Sequence, residues 1–194
     1  VPARGVMAGL WLRRLVAAAL GLALSTGCSA TPEVGGGFVA GDGTITVIAA
    51  ASRQPAPIIT GQTLDGSTWS SETVRDKVIV YNVWGSWCSP CRAEAPALQA
   101  AAQATSEQAV FVGVNTRDLD KAAPQAFVRA FGITYPNLFD PDGSLLLAFS
   151  GQLPASAIPS TLLIDRQGRI AARVIGETTQ ATLVGLVDDI AQGK

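Results

Sequence analysis

A chain of 194 residues accommodates one domain with appendages. Its formal net charge is −1 and 15% of its residues are charged, against roughly 25% in soluble domains, so there is no basic stripe for nucleic acid to bind. With no histidine and three cysteines, Ser-His-Asp and Cys-His machinery and histidine metal centres are excluded, and a four-ligand zinc site cannot be completed within one chain.

In chain order, Arg13-Arg14 precede the apolar run Leu15–Leu24, and Ser25-Thr26-Gly27-Cys28 follow. A basic start, a short apolar stretch and small residues before a break read as a secretory signal over residues 1–27. Ten apolar residues are too few to cross about 30 Å of hydrocarbon. Cys28 makes the cysteine count odd, which in an exported protein asks for an explanation. Thr26-Gly27-Cys28 resembles a bacterial lipobox, although Ser25 stands where that pattern has Leu, Val or Ile. The resemblance implies that Cys28 is diacylated and anchors the chain to a membrane. Residues 28–56, rich in Gly, Ala, Ser, Thr and Pro around Gly35-Gly36-Gly37, read as a flexible tether, with a short strand expected within it at residues 44–48.

From residue 57 to 194 the pattern becomes regular and predicts the folded domain. Ile58-Ile59-Thr60 and Leu64–Trp69 form a hairpin turned at Asp65-Gly66. A helical or turn segment follows over residues 70–76. Residues 78–84 are apolar apart from Asn82, as a central strand covered on both faces should be. A helix is expected over 89–104, kinked at Pro96, then a buried strand over 110–115 and a helix over 122–131. A short strand at 137–139 and a helical segment at 144–150 come next. Residues 161–165 and 169–175 flank an Arg166-Gln167-Gly168 turn as a second hairpin. An amphipathic helix over 180–191 closes the chain, with Asp188-Asp189 on its solvated face. This alternation predicts a three-layer α/β fold.

The chemistry concentrates at Trp87-Cys88-Ser89-Pro90-Cys91-Arg92, between the central strand and its helix. Positions i and i+3 on a helix lie about 5–6 Å apart, within the reach of a disulfide. At the helix cap Cys88 faces unpaired N–H groups and the positive end of the macrodipole, which favour its thiolate and make it the attacking sulfur. Pro90 suits the first turn, where no N–H partner is needed. Glu94 lies three residues beyond Cys91 on the same face and is expected to be partly solvent-accessible. Trp84 and Trp87 give the site apolar cover.

The order of strand, Trp-Cys-x-x-Cys, helix, strand and helix, followed by Ile158-Pro159-Ser160-Thr161 opening a hairpin and final helix, resembles the thioredoxin fold. More narrowly, residues 82–94 are similar to the ResA/TlpA/CcmG group of membrane-tethered bacterial thiol-disulfide oxidoreductases. The segment Asn115–Ser150 matches the insertion that group carries. The resemblance spans about residues 55–194 and implies a central mixed sheet with an N-terminal β-hairpin. It also implies reduction of protein disulfides outside the cytoplasm, including those of apocytochrome c before haem attachment, by a monomer tethered to the outer face of the bacterial cytoplasmic membrane. Electrons would come from a membrane thiol donor, without cofactor or metal.

Under the same resemblance Glu94 manages protons for the buried thiol, as general base work on Cys91 requires. Asn82 stands where thioredoxin has a buried acid. Pro159 is the cis-proline beside the disulfide, turning the Ile158 backbone toward an extended client strand, and Trp87 covers that client. Two alternatives stay open on sequence. The same couple could install disulfides in exported proteins, since direction depends on reduction potential, or the two thiolates could shuttle a soft metal without catalysis.

Overall fold

The computed structural model describes residues 43–194 except Arg75 and Ala155. The expected signal segment, the expected Cys28 anchor and the Gly-rich part of the expected tether lie outside the described residues. Among the described residues, eight strands and four α-helices follow in order: β1 (Thr44–Val47), β2 (Thr60–Gln62), β3 (Thr68–Ser70), β4 (Val78–Trp84), α1 (Ser89–Ala104), β5 (Ala109–Thr116), α2 (Ala122–Ala130), β6 (Asn137–Asp140), α3 (Ser144–Leu147), β7 (Ser160–Ile164), β8 (Ile170–Ile175) and α4 (Gln180–Ala191). Six strands make a mixed sheet in the order β1-β8-β7-β4-β5-β6, and β2 and β3 make a separate hairpin. β4, β5 and β6 run parallel, whereas β7 runs antiparallel to β4 and β8 to β7. This is a thioredoxin-like fold.

All seven residues of β4 are buried, because the sheet is covered on both sides. Val78 and Val80 face α1 and α4 and pack with Leu98, Leu183 and Val187. Ile79, Tyr81 and Val83 face the other way, against Ile59, Leu138, Leu146 and Phe149. The alternation of a strand's side chains thus feeds two cores. α1 continues across Pro96. The β2–β3 turn uses Gly66 at φ +89°, a conformation that glycine adopts without steric cost.

The folded unit begins earlier than composition indicates. β1 pairs antiparallel with β8, from Thr44 opposite Ile175 to Val47 opposite Ala172. Arg53 is 6% exposed and its guanidinium reaches Asp165 at 3.3 Å. Residues 43–56 therefore belong to the folded unit. Their small and polar residues suit an edge strand and a strap, which local composition does not separate from a linker.

Candidate active site

The chain leaves the sheet at Trp84, and four residues later Cys88 caps α1 in an extended conformation. Cys88 and Cys91 form a disulfide, with Cα atoms 5.3 Å apart. The Cys91 N–H donates to Cys88 Sγ at 3.2 Å, so a donor of the first helical turn, which has no partner within the helix, points at the sulfur that would carry charge after reduction. Pro90 sits in that first turn, as expected. Both cysteines are buried, packed with Leu64, Trp84, Ala95 and Phe127. The Trp84 ring lies 4.4 Å from that of Phe127, and its Nε1–H donates to Asn137 Oδ1 at 3.0 Å. Trp87, by contrast, is 53% exposed. Its indole lies so close to Gly85 that a Cβ there would meet ring atoms at 2.7 Å. The Arg92 guanidinium stacks over Phe127 and Phe131, 5.6 and 5.2 Å from their ring centres.

Glu94 departs from expectation. It is 1% exposed, not partly accessible. Oε1 accepts Asn82 Nδ2 at 2.9 Å and Oε2 accepts the Thr178 N–H at 3.1 Å, while Asn82 Nδ2 also meets Thr161 Oγ1 at 3.3 Å. Asn82 and Thr161 lie on neighbouring strands and Thr178 on the connection from β8 to α4, so packing α1 onto the sheet closes over the carboxylate. Burial pushes the Glu94 carboxyl up from 4.5 to about 7. The Asn82 and Thr178 donors oppose that rise and Glu177 adds to it. Beside it, Asn82, Trp84, Cys91, Phe127 and Tyr135 line a crevice with no room for a water molecule. Burial first, then the Glu94 charge, pushes the Tyr135 phenol up. Nothing in the local sequence marks Thr178 or Tyr135 as part of this site. The first acts through a backbone N–H that every non-proline residue has, and the second comes from a distant loop.

The Ile158–Pro159 peptide is cis. Ser160, which follows it, pairs with Val83 at the end of β4, and Ile158 packs on the cysteine cluster. Cys88, Cys91 and Ile158 thus share one apolar cluster, with Trp87 and Pro159 as the chain neighbours of Cys88 and Ile158, while Glu94 lies against Asn82 and Thr178. Among the described residues no three His, Cys, Asp or Glu side chains group to hold a metal ion, and no helix is long and apolar enough to cross a membrane.

Residues 51–188 match the redoxin family. The thiol-disulfide oxidoreductase ResA of Bacillus subtilis is 27% identical over 140 residues, 72% of this chain and 75% of its own length. A solved DsbF homologue from Corynebacterium diphtheriae is 35% identical with a TM-score of 0.73, covering 79% of this chain and 97% of that one. A secreted thiol-disulfide isomerase from Corynebacterium glutamicum is 32% identical with a TM-score of 0.70, covering 78% and 96%.

Proposed function

Because the chain belongs to the redoxin family and is a thiol-disulfide oxidoreductase like the relatives it matches, we propose that it reduces protein disulfides outside the cytoplasm. Apocytochrome c before haem attachment is the client class that the likeness of residues 82–94 to the ResA/TlpA/CcmG group suggests. The observation that carries the reading is the Cys88–Cys91 disulfide at the start of α1, with the buried Glu94 one helical turn further on.

In this reading the reduced Cys88 thiolate, stabilised by the Cys91 N–H, attacks a client disulfide. A Cys88–client bond forms and the first client sulfur leaves as a thiolate. Cys91 then gives its proton to the Glu94 carboxylate and attacks Cys88 Sγ, which closes the internal disulfide and frees the second client thiolate. Two electrons pass to the client. With its carboxyl poised near neutrality, one helical turn beyond Cys91, Glu94 is a suitable acceptor in place. Ile158, Pro159 and Trp87 hold the client strand across the sulfurs. A membrane thiol donor recharges the couple, and the monomer is anchored through acylated Cys28. The reverse direction, disulfide formation, is the second reading, since the direction depends on the reduction potential of the couple.

Trapping decides the roles. Cys91→Ser should accumulate mixed disulfides through Cys88, with apocytochrome c among the captured proteins, and Cys88→Ser should not. Equal trapping by both variants overturns the assignment, and the reduction potential of the couple selects the direction.

A further inference from the structure

The loop joining β5 to α2 meets the dithiol loop through one side chain. Asp118 is buried, and its carboxylate accepts the Ser86 N–H at 2.9 Å, the Ser86 hydroxyl at 2.5 Å and Asn115 Nδ2 at 2.7 Å. Ser86 directly precedes Trp87 and Cys88. The carboxylate therefore staples the loop that presents the attacking sulfur to a second loop that is distant in sequence. Arg117, next to Asp118, has φ +60°, a left-handed conformation that residues with side chains rarely adopt and that concentrates at functional sites. On the other side of Asp118, Leu119 is 100% exposed, its Cα about 3.8 Å from that of the stapled residue.

A single exposed leucine is ordinary. Leu119 differs because it directly follows Asp118, whose carboxylate is bonded to Ser86, and Ser86 in turn directly precedes the exposed Trp87. A client whose sulfur reaches Cys88 arrives at the loop that carries Ser86 and Trp87, and the Asp118–Ser86 bonds tie residues 117–120 to that same loop. We propose that residues 117–120 form a client-docking element. Leu119 contacts an apolar side chain flanking the client's reactive cysteine, and Asp118 is the positioning residue that holds the element in register with Cys88. This rests on the thiol-disulfide exchange reading.

The test uses two peptide disulfides that differ only in the residue after the reactive cysteine, Leu in one and Ser in the other, with kcat/KM measured for each on the full chain. Wild type should favour the Leu peptide. Leu119→Ser should lower that preference about fivefold, as expected for losing part of one apolar contact, and Leu119→Met should keep it. Asp118→Asn, which replaces an acceptor with a donor facing Ser86 and Asn115, should lower the preference as well. Leu119→Ser in the Asp118→Asn background should then have a smaller effect than in wild type. Val47→Ser, an exposed apolar position on β1 at the opposite edge of the sheet, should leave the preference unchanged. If wild type exchanges neither peptide, the oxidoreductase reading fails. If it exchanges both equally, or keeps its preference in Leu119→Ser, the docking element alone is overturned.

Discussion

Asn82 on β4 donates to Glu94 on α1 across the buried strand–helix interface, Nδ2 to Oε1 at 2.9 Å. A neutral amide stands under the helix's buried acid and steadies its carboxylate without supplying a counter-charge. Burial therefore dominates, and the carboxyl is poised near neutrality.

That poise gives stability a distinct pH dependence. With the carboxyl at about 7 folded, against 4.5 as the ordinary value, the folded protein holds this proton more tightly. Stability should fall as pH rises from about 4.5 to about 7 and stay lowered above, by on the order of 3 kcal/mol. The chain has no histidine, so few other groups titrate in that window. Glu94→Gln should flatten the curve. Urea unfolding of the oxidised protein at pH 4, 6 and 8 checks this, and parallel wild-type and variant curves contradict it.

Asn82→Leu removes a donor that lowers the Glu94 value. The midpoint of the wild-type stability change should move to higher pH, and the pH profile of thiol alkylation in the reduced protein should move with it. An unmoved midpoint shows that the amide does not tune the acid.

Arg53 tests the strap. Its Nε donates to the Ile48 carbonyl at 3.0 Å, and its guanidinium also reaches the Lys194 carbonyl and Asp165. Arg53→Met leaves buried Asp165 with Arg169 as its remaining cation and should cost about 2–3 kcal/mol at pH 7. Burial favours the protonated form of Asp165, but Arg169 and Arg53 hold its carboxyl below the usual range. The contribution is therefore present above about pH 3.9 and lost as pH falls below it, so the gap between variant and wild type should narrow in acid. Denaturant midpoints at pH 7 and pH 3 measure it.

Gly113 lies on β5 opposite Asn82 and Asn137. A Cβ there would fall 1.9 Å from Asn137 Oδ1 and 2.7 Å from Trp84 Nε1. Gly113→Ala should break the Trp84–Asn137 bond and cost about 3 kcal/mol. Adding Asn137→Ala should recover part of the loss. Thermal unfolding of the single and double variants provides the comparison.

For Cys28, mass spectrometry of protein taken from native membranes should show an acylated N-terminus at that residue. A free N-terminus at Ser29 or Ala30 in the soluble fraction overturns the anchor.

Sequence by itself determined what local chemistry controls. The bounds of β4, α1 and α4 were legible because their apolar spacing matches strand and helix periods over many residues. The redox pair was legible because Cys-x-x-Cys at a helix start fixes its own geometry within one turn. Tertiary structure decided what depends on distant partners. Glu94 reads as a partly accessible helix glutamate until Asn82 and Thr178, 12 and 84 residues away, close over it. Residues 43–56 read as linker until β8 and Asp165 supply their pairing. Asp118 gains a role only when its loop meets Ser86, 32 residues earlier. Burial and long-range hydrogen bonds belong to pairs of segments, and a pattern read along one segment does not contain them.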